Sequence, residues 1–143
     1  ALGLHRMTCA ALPLLRASQG VVINAGTGAA TPPMEGWAAY CISKGALITL
    51  TKNTAFSVMR HQIRVNGLTI GWMDTPGETA IQKKAHGAAD DWLAKAEASR
   101  PMGQLAKPDE LAGLISYMLS PESGVMTGAL VDYDQWVPGA QPE

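Results

Sequence analysis

The sequence predicts half of a doubly wound α/β sheet, with three parallel strands and three main helices in a single unit of 143 residues. Two short β-branched runs, residues 21–23 and 63–70, flank a long proline-free segment with helical apolar spacing. A strand, a crossover helix and a second strand is the connection that parallel strands require. A second amphipathic pattern starting at Pro108 leads into a last apolar run at 129–133. The composition, 47% hydrophobic and 16% charged, is that of an ordinary globular unit.

Each element follows from local chemistry. Leu4, Met7, Ala11, Leu12 and Leu15 recur at helical spacing, and Pro13, Ser18 and Gly20 supply the stop, so a first helix is expected to end near Ala17. It starts without a capping residue and residue 1 is not Met, so the chain is expected to be a truncated or processed one entered in mid-element. Val21, Val22 and Ile23 suit a strand buried on both faces. Residues 24–35, rich in Gly, Pro and Thr, read as a loop. The longest helix spans about 36–60, with Trp37, Ile42, Ala46, Leu50, Ala55 and Met59 on its apolar positions. His61 at its end is expected to favour the helix dipole.

Residues 71–106 show only a weak helical patch at 90–98, and a stretch of this length without periodicity suggests a functional lid. A substrate lid is expected at 76–100, with Trp92 either its apolar anchor or part of a docked core. The last helix opens on Pro108, carries Asp109 and Glu110 in its first turn, and shows Leu111, Leu114, Ile115, Met118 and Leu119 at amphipathic spacing.

The formal net charge of -1 offers no basic block for phosphates or an anionic membrane surface, and no apolar run approaches the roughly 18 residues of a spanning helix. Neither nucleic acid nor a membrane is an expected partner. Cys9 and Cys41 have no metal-ligand spacing and are expected to be buried, reduced thiols in a reducing compartment. No metal site is expected.

Chemistry concentrates around Tyr40 and Lys44, four apart on the long helix and therefore on one face. Their helix follows a Gly-rich loop leaving the carboxyl end of a strand, the edge where α/β sheets place ligands, and that loop carries the hydroxyls of Thr27 and Thr31. The segment Tyr40-Cys41-Ile42-Ser43-Lys44, with Thr27 thirteen residues before Tyr40, resembles the Tyr-x-x-x-Lys motif and the upstream Ser of the short-chain dehydrogenase/reductase family. Ile63-Arg64-Val65-Asn66 resembles the strand before that family's nicotinamide loop. Ile70-Gly71-Trp72-Met73-Asp74-Thr75 is similar to its Pro-Gly-x-x-x-Thr, with Ile70 in the proline place. Lys107-Pro108-Asp109-Glu110-Leu111-Ala112 and Thr127-Gly128 match its last helix and its entry to the final strand, whereas Asp132-Tyr133-Asp134 departs from its Asp-Gly-Gly.

The resemblance implies the C-terminal half of a Rossmann-type sheet, residues 1–143 being one partial domain with the N-terminal half absent. With the family's Gly-rich dinucleotide loop and catalytic Asn upstream, these residues alone are expected to bind the cofactor weakly and to be inactive. It implies an enzyme, an NAD- or NADP-dependent oxidoreductase interconverting a carbonyl and a secondary alcohol, acting in the cytoplasm on a small molecule as a homodimer or homotetramer. Tyr40 would exchange the proton, Lys44 would support it and bind the nicotinamide ribose, and Thr27 would hold the substrate oxygen. Cofactor contacts would come from Ala25, Tyr40, Lys44, Ile70, Gly71, Met73 and Thr75. Met34, Trp37 and Trp72 could line the substrate pocket.

The roles make physical sense. A phenol near pKa ~10 is too weak an acid for neutral pH, and an ammonium about 6 Å away at an effective dielectric of ~20 contributes roughly 2.8 kcal/mol, about two pK units. Thr in place of Ser keeps the hydroxyl but narrows χ1, which touches substrate orientation rather than proton transfer. The alternative from another class is a non-catalytic family member or inactive fragment serving as an oligomerisation module. Tyr40 and Lys44 favour the enzyme; Thr27, Ile70 and Tyr133 lean the other way.

Overall fold

The computed structural model describes residues 2–28 and 35–137. Along the chain they form α1 (Leu2–Ser18), β1 (Val21–Thr27), α2 (Ala38–Val58), β2 (Arg64–Ile70), α3 (Pro76–His86), α4 (Trp92–Ala98), α5 (Pro108–Leu119) and β3 (Leu130–Tyr133), with 3-10 turns at Met59–His61 and Pro121–Ser123. The strands lie side by side in the order β1, β2, β3, all parallel. Val21 to Thr27 pair in register with Arg64 to Ile70, and Gly67 to Ile70 with Leu130 to Tyr133. With a neighbour on each side, β2 is buried from Val65 through Thr69.

Alternation along β2 sends its side chains into two separate cores. Val65 joins Ala55, Val58 and Ile63 on the face covered by α1 and α2, with Leu12, Leu15 and Val22 packed around them. Leu68 joins Leu111 and Met118 on the face covered by α5, together with Ile23, Ile70 and Val131. Helices on both faces of a parallel sheet is the arrangement the sequence predicted. Polar side chains fasten the same frame. The buried Asn66 amide donates to Met126 O at 2.9 Å and accepts from Ala129 N at 3.0 Å, which sets the entry to β3. Arg64 gathers the end of α5 through Met118 O and Ser120 O, both at 3.0 Å, and Ser123 Oγ at 2.6 Å.

Several expectations are corrected. β1 does not stop at Ile23; it runs on through Asn24, Ala25 and Gly26 to Thr27, because pairing with the central strand supplies the ladder bonds that outweigh the poor β-propensity of Asn and Gly. Asn24 is accommodated by its Nδ2 donating to Thr51 Oγ1 of α2 at 2.8 Å. Pro13 lies inside α1, and the helix ends a turn later at Ser18, whose hydroxyl donates to Leu14 O at 2.9 Å. Among the described residues there are five α-helices: beside the three main ones expected, residues 76–86 are helical, and the weak patch at 90–98 forms a helix over 92–98. Both are too short to show a strong period, yet α3 has legible ends, a Thr75 cap, Pro76 in its first turn and Gly87 in the left-handed region at φ 63.

Neither cysteine is buried: Cys9 is exposed, with Sγ 3.7 Å from His5 Nε2, and Cys41 is half-buried. His61 lies in the 3-10 turn after α2, where desolvation first, then the charges of Arg16 and Arg60, lower its pKa from the ordinary imidazole value and so disfavour the charged form expected at the helix end. Among the described residues no helix is long and apolar enough to cross a membrane.

Candidate active site

The carboxyl ends of β1 and β2 and the first turn of α2 meet at one edge of the sheet. Thr27 closes β1 opposite Ile70, and α2 begins with Cys41 N donating to Trp37 O at 2.9 Å. One turn of helix then places Lys44 Nζ 5.8 Å from the centroid of the Tyr40 ring. Trp37 meets the same ring edge-on, with centroids 5.3 Å apart at 88°. Tyr40 remains 38% exposed, and that exposed side faces a cavity of about 1090 Å³.

The cavity brings together Thr27, Tyr40, Gly71, Met73 and Thr75 of the predicted site, with Trp37 and Trp72 beside them. Lys44, Ala25 and Ile70 are not part of its wall. Lys44 stands against the Tyr40 ring, Ala25 is exposed within β1, and Ile70 packs with the α5 core. Thr31 and Met34 lie outside the described residues.

The segment after β2 is held by backbone pairing. Gly71 N donates to Tyr133 O at 2.9 Å; Asp74 N donates to Ala106 O and Ala106 N to Trp72 O, each at 3.0 Å. Thr75 Oγ1 accepts from Glu78 N at 3.1 Å as the cap of α3, which leaves its O–H able to donate elsewhere. Trp72 is fixed from three sides. Its Nε1 donates to Glu78 Oε1 at 2.7 Å, its ring lies 6.1 Å from that of Trp92, and the Arg100 guanidinium sits 5.6 Å from its centroid. Trp92, Ala96 and Leu105 form a small buried core of their own. Lys107 links this core to the loop through Asp74 at 2.9 Å and Glu97 at 2.5 Å. The hydrogen bonds it donates to Glu97 and Asp74 raise its pKa above the ordinary lysine value.

Two phenols face the cavity. Tyr40 has an ammonium against its ring. Tyr133 has its pKa raised, by burial foremost and then by the charge and hydrogen bond of Glu110, so it holds its proton more firmly than a free phenol.

The wall formed by Tyr133, Asp134, Gln135 and Trp136, and the facing stretch at 100–106, were not assigned from sequence. Gln135 ties the two together, accepting from Met102 N at 2.8 Å and donating to Gln104 O at 2.6 Å. The one legible signal was the run Asp132-Tyr133-Asp134, side chains where two glycines would leave the strand end bare.

A family model described as Enoyl-(Acyl carrier protein) reductase matches residues 1–135. A short-chain dehydrogenase of Penicillium roqueforti is 34% identical over 113 residues, covering 77% of this chain and 38% of its own length. L-xylulose reductase of Bos taurus is 33% identical over 123 residues, 85% of this chain and 48% of its own. The structure of 3-ketoacyl-(acyl-carrier-protein) reductase from Brucella melitensis complexed with NADH is similar at a TM-score of 0.76 and 28% identity, over 93% of this chain and 52% of that one. The chain thus spans about half the length of the curated relatives it matches.

Proposed function

This chain belongs to the short-chain dehydrogenase/reductase family, and from that premise we propose that the protein is a nicotinamide-dependent oxidoreductase that interconverts a carbonyl and a secondary alcohol. The observation that carries the reading is the placement of Lys44 Nζ 5.8 Å over the Tyr40 ring while Tyr40 and Thr27 open on one cavity at the carboxyl edge of the sheet. In reduction Tyr40 donates its phenolic proton to the forming alkoxide; in oxidation it takes the alcohol proton back. The ammonium stabilises the charge that develops on the phenol oxygen as its proton leaves. Thr27 donates a hydrogen bond to the substrate oxygen and so fixes which lone pair meets Tyr40.

The residues present fit a nicotinamide group. Lys44 offers three ammonium donors for ribose hydroxyls, and Thr75 keeps an O–H for a carboxamide oxygen after capping α3. When bound, that group supplies the hydride.

The lid expected at 76–100 is proposed in narrower form, as α3 alone. None of the α3 residues is buried, whereas α4 is docked through Trp92 and Ala96. Assembly as a homodimer or homotetramer belongs to the same reading, supported by exposed apolar side chains on α1 and α2, Leu14, Ile42 and Phe56 among them. Tyr40→Phe in the full-length protein tests the central step: turnover should nearly vanish with cofactor affinity retained, and a variant that keeps most of the wild-type rate removes Tyr40 from the role. Light scattering that finds a monomer at tens of micromolar would remove the assembly.

A further inference from the structure

The end of β3 places a carboxylate between the two backbone stretches that flank the reaction site. A Cβ built on Gly28 would lie 2.5 Å from Asp134 Oδ2, and one on Gly71 would lie 2.6 Å from Asp134 Cγ. Gly28 follows Thr27, and Gly71 opens the segment that leads to Met73 and Thr75. Glycine at both positions is what lets the carboxylate sit there, since any side chain would occupy the same space. Its backbone is held on both sides, by Gly71 N donating to Tyr133 O at 2.9 Å and by the Gln135 clamp onto Met102 and Gln104.

The other cavity carboxylates are already engaged. Glu78 accepts from Trp72 and Gln82, Asp132 from Thr69, and Glu110 from Gln104. Asp134 accepts from the backbone N–H of Gln135 at 2.7 Å and, among the described residues, from nothing else. A carboxylate has about four lone-pair sites, and Asp134 is exposed on the cavity wall, so most of its accepting capacity is open to the cavity and the solvent. Trp37, Tyr40, Trp72 and Trp136 line the same cavity, and its cationic and imidazole groups, Arg100 and His86, belong to the wall across from β3.

We propose that Asp134 is a specificity-determining residue of this cavity: it accepts a hydrogen bond from a hydroxyl or ammonium on the carbon next to the reacting carbonyl and turns away substrates that carry a carboxylate there. The inference rests on the oxidoreductase reading for the identity of the reacting carbon. An ionised acceptor strengthens a hydrogen bond from either donor, while a second anion at the same place meets repulsion.

The test uses the full-length protein with its nicotinamide cofactor and four ketones that share one aryl group: acetophenone, α-hydroxyacetophenone, α-aminoacetophenone below neutral pH, and benzoylformate. Reduction rates give kcat/KM, and quenching of the cavity tryptophans gives affinity independently of turnover. The hydroxy and amino ketones should exceed acetophenone by about tenfold to a hundredfold, with benzoylformate below it. Asp134→Asn, nearly isosteric, should keep the hydroxyl preference, lose the ammonium preference and admit benzoylformate; Asp134→Ala should lose both preferences. Benzoylformate equal to the hydroxy ketone in the wild type, or an order unchanged in either folded variant, overturns the proposal. If rates depend on Tyr40 but are indifferent to Asp134, only the specificity role falls. If no ketone is turned over, the oxidoreductase reading falls and the affinity order still decides on Asp134.

Discussion

The two flanks of the cavity are built on different principles. On one side α2 is a single rod of 21 residues whose C-terminal half, through Thr51, Ala55 and Val58, is buried against the sheet, while its N-terminal turn holds Tyr40 and Lys44 out over the strand ends. On the other, the chain from 71 to 107 is two short helices attached by one short backbone bridge between Met73 and Ala106 and by side-chain pairs: Trp72 with Glu78, Trp92 with Trp72, Lys107 with Asp74 and Glu97. The proton transfer proposed for Tyr40 needs fixed geometry, which a rod rooted in the sheet core provides. A wall that shapes specificity can be fastened by individual contacts and changed one contact at a time.

The sharpest way to break this contrast is to exchange the phenols. Tyr40→Phe should lower kcat in the full-length protein by about 10²- to 10⁴-fold, the range of general acid–base catalysis, with cofactor binding by titration unchanged. Tyr133→Phe should leave kcat within a few-fold, because burial and Glu110 hold its proton. Equal losses would mean that the two flanks share the chemistry. Lys44→Ala should weaken both turnover and cofactor affinity.

Next in size is the satellite core. Trp92 is only 7% exposed, and Trp92→Ala should cost about 3 kcal/mol, released locally. Hydrogen exchange should quicken across 88–106 while β2 and the C-terminal half of α2 keep their protection. Loss of protection throughout would show the second flank to be part of the main core. Thr75→Ala removes the α3 cap, worth about 1 kcal/mol, and should raise exchange in α3 with little change in α4. Even in the wild type α3 should exchange faster than α4, and slow exchange in α3 unchanged by ligands would leave no lid.

The smallest effect is in pH. The pKa of Lys107 is raised in the folded state, so its pairing contributes fully below the unfolded lysine value and is lost as pH climbs through the higher folded one. Alkaline titration should therefore loosen the contact between α4 and the 71–75 loop, seen as faster exchange at 92–98, and Lys107→Met should remove that dependence. A pH response unaltered in the variant would assign it to another group.

How much of this was legible can be read from particular residues. Tyr40 and Lys44 were, because i and i+4 on a helix are neighbours whatever the rest of the chain does. Asp134 was visible only as a departure from a pattern, because its meaning depends on Gly28 and Gly71, 106 and 63 positions away in the chain, coming to either side of it. The lid expectation missed α3, because a helix of 11 residues carries too few turns for a clear apolar period, whereas α4 was already visible as the helical patch at 90–98.

The sequence by itself determined the parallel sheet, the long crossover helix, the amphipathic α5 and the juxtaposition of Tyr40 with Lys44, since each rests on side-chain periodicity or spacing within one segment. Only the tertiary structure decided that β1 extends to Thr27, that Trp92 is buried beside Trp72, and that the end of β3 supplies a wall of the cavity. Those outcomes depend on ladder bonds and packing partners drawn from distant parts of the chain, and local propensity carries no record of them.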